Sequence, residues 1–357
     1  MNDFCRKHEL SIPVVLAPMG GGPSTPELAA AVSNAGGLGS LAAAYSNPEQ
    51  IEQDIAKLRA LTKRPFAVNL FSPAAQLPLN SGVSSVVDFL RPYHERLGLK
   101  APELPQKPIE NFNEQLDAVC KAAPPIVSFT FGLLPTEAIQ RLKAQSTYLI
   151  GTATTVEEAV QVAKAGVDAV VAQGSEAGAH RGTFAVPAEE ALVGTVALVP
   201  QVVDAVRIPV LASGGIMDGR GLVAALALGA SAVQMGTAFL ACKEAGTSAA
   251  YRNALATARE DQTTLTRAFS GRMARGLRNE FIERWNASAL THLPYPWQNA
   301  LTQPMRRAAS AAKQPELLSL WAGQGVRLMR ELSAEQLMSK LKDEIKQAWA
   351  DLKNQLP

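Results

Sequence analysis

The chain has 357 residues, with 34 Lys and Arg against 32 Asp and Glu, a formal net charge of +2 and 47% hydrophobic residues. Charges of both signs are scattered along it, which leaves no basic stripe for nucleic acid and no footprint for anionic lipid. Length alone fits two domains, or one closed α/β barrel with an added subdomain.

The opening MNDFCRKHEL is charged and has no apolar h-region, so it is expected to be neither a secretory signal nor a membrane anchor. No apolar run approaches the ~18 residues that a membrane span requires. Cys5, Cys120 and Cys242 are odd in number and far apart, and His8, His94, His180 and His292 are equally dispersed. That pattern points to no disulfide framework, no metal site and a reducing cytoplasm.

In chain order, short β-branched runs alternate with Ala- and Leu-rich stretches of helical period, the signature of a parallel sheet built from βα units. Strands are predicted at 13–17, 37–41, 66–70, 126–129, 148–151, 169–172, 209–212 and 232–235, and helices at 26–34, 48–61, 135–144, 156–164, 195–206, 219–228 and 238–247. Thr25-Pro26-Glu27 and Asn47-Pro48 supply an N-cap with Pro in the first turn. Eight such units predict a TIM (β/α)8 barrel. An open doubly wound sheet is the alternative, but Gly20-Gly21-Gly22 lacks the G-x-G-x-x-G spacing, and the tightest Gly turns follow the seventh and eighth strands, where barrels bind phosphate.

Two stretches interrupt the repeat. Residues 71–108 hold six prolines and read as an insertion at the barrel rim, and residues 251–357 read as a mainly helical C-terminal subdomain over the barrel mouth, after a barrel of residues 1–250. The terminal stretch 333–356 has the pattern of a packed amphipathic helix.

The strand ends carry the candidate chemistry. Ser213-Gly214-Gly215 after the seventh strand and Gln234-Met235-Gly236-Thr237 after the eighth form a clamp whose backbone N–H groups can meet a mononucleotide phosphate. Pro18-Met19-Gly20 after the first strand, Asn69 in the third and Gln173 after the sixth offer neutral polar lining, which suits the edge of an isoalloxazine ring. Either amide alone could equally cap its own loop. The loop from Gln173 to Phe184 delivers His180, the one histidine at a strand's C-terminal end and the natural general base. Glu176 is expected to position that loop or orient the imidazole. Ser270-Gly271-Arg272-Met273-Ala274-Arg275 sets two arginines three apart, suited to a phosphate, another small anion or solvent. Tyr295-Pro296-Trp297 reads as an apolar wall or as subdomain core, and Cys242 as a buried, inert thiol.

The strings PVVLAPMGGG, FAVNLF, AQGSEAGAHRGTF, PVLASGGI, AVQMGTAF, SGRMARGLRN and LWAGQG, running from residue 13 to about 325, resemble class I of the nitronate monooxygenase family. The resemblance implies a TIM barrel with noncovalent FMN that oxidises alkyl nitronates, such as propionate 3-nitronate, with O2. The products are a carbonyl compound and nitrite or nitrate, formed through a flavin semiquinone. It implies FMN contacts at Asn69, Gln173, Gly178, Gly215 and residues 234–237, and a catalytic histidine at His180 that deprotonates neutral nitroalkanes. It leaves a monomer or a homodimer. Some members carry S-F-H-F-G at the fourth strand end, where this chain has Ser128-Phe129-Thr130-Phe131-Gly132. Thr130 cannot be a base at neutral pH, although its hydroxyl, with Tyr295 and Arg272, remains a substrate contact by expectation. The glycine before the family histidine is Ala179 here, a change expected to leave the loop intact. Flavin enoyl-acyl carrier protein reductase, NAD(P)H:quinone reductase and a non-catalytic flavin-binding scaffold are the alternatives.

Overall fold

Eight short strands run parallel in the computed structural model, which describes residues 2–73, 79 and 82–355. They are Val14–Leu16, Gly39–Ala42, Phe66–Phe71, Ile126–Thr130, Tyr148–Ala153, Ala169–Gln173, Val210–Ser213 and Ala232–Met235. Each of the later strands pairs with its successor in this series, and the first pairs with the eighth through Val14↔Val233 and Leu16↔Met235. A parallel bridge between Val15 and Leu38 joins the first strand to the second, so the sheet closes into a barrel and the open-sheet alternative falls.

The two faces of the strands separate cleanly, as a period of two demands. Leu16, Val68, Val127, Leu149, Val170 and Val233 turn outward into the core shared with the helices. Val15, Ala67, Ile126, Ile150, Val171 and Leu211 form another cluster with Phe4, Cys5 and Leu10. The N-terminal helix Asp3–Lys7 therefore plugs one end of the barrel. The capping signals act as expected: Thr25 accepts from the Leu28 N–H at 3.0 Å, and Asn47 from the Gln50 N–H at 2.9 Å.

The predicted helix at 238–247 does not form. Thr237–Phe239 makes one 3-10 turn, and Phe239, Leu240, Ala241 and Cys242 are all buried, which leaves no polar face for an outer helix. The place of the eighth outer helix is taken by Ala334–Gln355, which packs on Pro26–Asn34 and Gly219–Ala227. Leu337, Met338 and Leu341 bury into the barrel's own core. Glu344 accepts from the Gly219 N–H at 3.1 Å and pairs with Arg330 at 2.8 Å.

Of the predicted insertion, residues 74–78, 80 and 81 lie outside the described residues; the remainder carries the helix Val83–Arg96. A further helix, Phe112–Ala122, precedes the fourth strand and is capped by Asn111. Residues 249–333 are less uniformly helical than their pattern implies. Two strands, Thr263–Thr266 and Ala274–Leu277, pair antiparallel there, and the second also pairs with Ala179–His180. Arg275 and Gly276 in that strand hide its β character. Helices Ala249–Ala256, Glu280–Ala287 and Trp297–Ala311 share a second core with Val86, Leu90 and Tyr93 of the insertion. Among the described residues no helix is long and apolar enough to cross a membrane.

Candidate active site

The loop after the sixth strand is built from the inside. Arg181, 1% exposed, donates to the carbonyls of Gly174 at 2.5 Å, Gln173 at 2.9 Å and Ala191 at 3.0 Å. The Gln173 amide donates to the His180 carbonyl at 3.1 Å and accepts from the Gly182 N–H at 2.8 Å. Glu158, fully buried, accepts from the Phe184 and Ala185 N–H groups and from the Thr154 hydroxyl. Glu176 accepts from the N–H and hydroxyl of Thr195 at the start of the helix Thr195–Ala205. Gln173 thus caps its own loop, and Glu176 positions the loop without orienting the imidazole. Ala179 holds φ +61°, left-handed backbone that favours glycine, so the Ala in place of the family Gly costs local strain.

His180 emerges from this scaffold among rings: Trp321 at 5.5 Å between centroids, Phe131 at 5.8 Å and Tyr295 at 6.3 Å. Phe71 and Tyr45 extend the wall, 4.4 Å from Phe131 and 5.4 Å from Phe71 respectively. The imidazole Nε2 lies 2.8 Å from the Ser270 hydroxyl. The Arg272 guanidinium sits 3.9 Å over the Phe131 ring and donates to the Thr183 carbonyl, while Arg306 donates to the Asn299 carbonyl and side-chain oxygen, both at 2.8 Å. Neither arginine has a carboxylate in ion-pairing distance among the described residues. Burial lowers both to about 10, so they stay charged at neutral pH. Burial first, then these two cations, pull His180 down to about 3 and keep it neutral. Burial pushes the Tyr45 and Tyr295 phenols up, and the interaction between the two hydroxyls lowers the first and raises the second. Glu158 offsets Arg272 only from beyond ion-pairing distance, so the surroundings of His180 keep a positive character that suits an anionic guest.

Beside it lies the predicted clamp. Gly214 and Gly215 hold φ +123° and +71°, which turns the backbone after Ser213 as no side-chain-bearing residue readily would. The segment from Trp321 to Gly325, whose place the sequence pattern did not reveal, forms its third wall. The Gly323 N–H donates to the Thr237 hydroxyl at 3.0 Å, and the Gln324 N–H to the Glu176 carbonyl at 2.9 Å. A Cβ on Gly178 would stand 2.5 Å from the Gly323 nitrogen, so Gly178 permits this close approach.

The other predicted residues lie at the same end of the barrel. Pro18, Met19 and Gly20 follow the first strand, with the Met19 N–H on the Ser24 hydroxyl at 2.8 Å and Gly20 against the Tyr45 ring. Gln234, Met235 and Gly236 end the eighth strand, Gly236 packing near Met19. Asn69 is buried and donates to the Ser128 hydroxyl at 3.0 Å, and the Thr130 hydroxyl is 3.4 Å from that of Thr152. The structure therefore joins His180, Arg272 and Tyr295 in one pocket and adds Ser270, Arg306, Phe131, Tyr45 and Trp321. Ser270 and Trp321 stood in strings that the sequence singled out; Arg306 and Tyr45 carried no local signal.

The sequence model of the nitronate monooxygenase family matches residues 4–344. A probable nitronate monooxygenase of Staphylococcus aureus (strain Newman) is 44% identical over 347 residues, which cover 97% of this chain and 98% of the relative. Among solved structures, nitroalkane oxidase from Streptomyces ansochromogenes superposes with a TM-score of 0.90 at 42% identity, covering 96% of this chain and 98% of that one. FabK from Thermotoga maritima follows at 0.78 and 30% identity, covering 100% and 99%. Family match, relatives and fold agree: this chain belongs to the nitronate monooxygenase family, a family of oxidoreductases.

Proposed function

We propose that the chain oxidises alkyl nitronates with O2, on a noncovalently bound FMN, to a carbonyl compound and nitrite or nitrate. The observation that carries this reading is the pair of half-buried guanidiniums, Arg272 and Arg306, beside a neutral His180, with no carboxylate in ion-pairing distance of either among the described residues. A nitronate is an electron-rich anion, and this pocket offers it positive potential in a desolvated, aromatic-lined space.

The residues present fit FMN. The left-handed Gly214-Gly215 turn leaves a cradle free of Cβ atoms, and Gly236 and Thr237 lie next to it with Gly323 bonded across. These groups would hold the phosphate, and Met19, Gly20 and Asn69 would line the ring, with Gln173 fixing the loop above it. FMN, when bound, supplies the acceptor for the nitronate's electrons and the route to O2. The chain's own residues do the rest: Arg272 and Arg306 draw the anion in, Phe131, Tyr295 and Trp321 exclude water, and His180 takes the proton from a neutral nitroalkane that enters in place of the nitronate. With its basicity depressed, His180 makes that second use slow, so nitronates are the better substrates.

The test is spectroscopic. Purified protein should show a bound-flavin spectrum, change it anaerobically with propionate 3-nitronate, and leave it unchanged with NADH. Rapid bleaching by NADH with an inert nitronate would move the reaction to the reductase relatives, and binding of FMN with no turnover by any donor would leave a scaffold. His180→Asn should retain FMN and nitronate turnover and lose nitroalkane turnover.

A further inference from the structure

We propose that Ser270 is a positioning residue that holds His180 in the tautomer with its proton on Nε2, so that Nδ1 presents a lone pair to the pocket. The inference rests on the reading of His180 as the proton acceptor. The Ser270 hydroxyl has one proton and three close contacts: His180 Nε2 at 2.8 Å, the Arg272 carbonyl at 3.0 Å and the Arg272 N–H at 3.3 Å. One assignment satisfies all three. The hydroxyl donates to the Arg272 carbonyl and accepts from both the Arg272 N–H and an Nε2–H. In the other assignment the hydroxyl donates to a bare Nε2, and two oxygens then face each other at 3.0 Å with no proton between them, a repulsive contact in a site where Ser270 is 1% exposed.

The hydroxyl is not free to move away from this arrangement. Gly271 holds φ +77° with its N–H on the Arg267 carbonyl at 2.8 Å, which fixes the turn that brings Arg272's backbone onto Ser270. Arg272 and Arg306 oppose a second proton on the ring, so one nitrogen is protonated and the other bare. Among the described residues the ring's one side-chain hydrogen bond is at Nε2, and Nδ1 makes none. The base is therefore Nδ1, and the proton of a nitroalkane carbon goes to that atom while the electron pair of the broken C–H bond stays on the substrate as the nitronate.

The experiment uses flavin-loaded protein labelled with 15N-histidine, with His180 assigned by the signals lost in His180→Asn. Protonated and bare ring nitrogens resonate far apart in 15N, and long-range proton correlations distinguish Nε2 from Nδ1. The wild type should show Nε2–H and a bare Nδ1 at neutral pH, Ser270→Thr should keep that pattern, and Ser270→Ala should lose it in favour of a mixture. In steady state, Ser270→Ala should lower kcat/KM for nitroethane about tenfold while changing that for its nitronate less than about twofold, since general-base help is needed only by the neutral substrate. A wild-type Nδ1–H, or a Ser270→Ala protein with the wild-type tautomer, would overturn the proposal. The tautomer is read without turnover, so a protein that oxidises no nitroalkane would refute the base reading and leave the role of Ser270 decided separately.

Discussion

Replacing Arg272 with Met removes one of the two cations beside His180 while keeping an apolar stem over Phe131. The guanidinium lies 3.9 Å from the Phe131 centroid, which is 5.8 Å from that of His180, and these two spans bound the separation at about 10 Å. At an effective dielectric of ~20, two unit charges ~10 Å apart repel by about 1.7 kcal/mol, or slightly more than one pH unit, and a shorter separation enlarges the effect. A positive neighbour disfavours imidazolium, so the His180 pKa, pulled down to about 3 in the wild type, should rise by about one unit or more in Arg272→Met. Titrating the His180 resonances by NMR measures the shift directly, and Arg272→Lys should restore most of it because the charge returns. The same loss of potential should raise KM for a nitronate by about tenfold, at the ~1.4 kcal/mol per decade of binding. A folded Arg272→Met protein with an unshifted His180 and unchanged nitronate KM would refute the assignment of this pocket as a cationic one.

Ala179→Gly relieves left-handed strain at φ +61° and should stabilise the protein by about 1 kcal/mol, read as a higher denaturant midpoint with an unchanged m-value. Leu341 is fully buried on the terminal helix, so Leu341→Ala should cost about 2–5 kcal/mol. If that helix is part of the barrel, far-UV and tryptophan signals will shift together; a separate early transition would instead support a division near residue 250. His8, 6% exposed between Phe4 and Tyr148, is held down to about 4 mainly by burial, with Lys7 adding to the effect and Asp168 opposing it. Its folded pKa lies below the ordinary 6.5, so the stability it contributes is complete above about pH 6.5 and is lost as the pH falls toward 4. His8→Leu should reduce that acid-side loss, and an identical fall in Tm between pH 6.5 and 4 would exclude His8 as its source.

The barrel was legible because its strands are buried on both faces and several of its helices, Pro26–Asn34 and Pro48–Leu61 among them, begin at side-chain caps, both of which are local signals. The exchange of the eighth helix for Ala334–Gln355 was not, because it joins segments about a hundred residues apart. The site shows the same division. Gly214, Gly215 and His180 announce themselves by residue type at strand ends. The work of Gln173, Glu176 and Arg181 is loop support that their polar character alone could not separate from ligand contact. Arg306 sits inside the helix Trp297–Ala311 with the surface-like sequence around it, and only the fold brings its charge to the pocket.

The distribution of charge also explains how the chain manages with Thr130 where some relatives have a second histidine. Thr130 makes one long contact to Thr152 and contributes no charge, while its neighbour Phe131, at φ +77°, turns its ring beneath Arg272. A non-glycine residue in that conformation is strained by of order 1–3 kcal/mol, and it persists because the ring is held by Phe71, Tyr295 and the guanidinium together. A second imidazole so near the two guanidiniums would be held neutral as His180 is, and would add little basicity. The aromatic floor that fixes Arg272 does more: with the Thr183 carbonyl it holds a full, poorly solvated charge near His180, where a substrate that already carries its negative charge gains most and one that must first lose a proton gains nothing until it has done so.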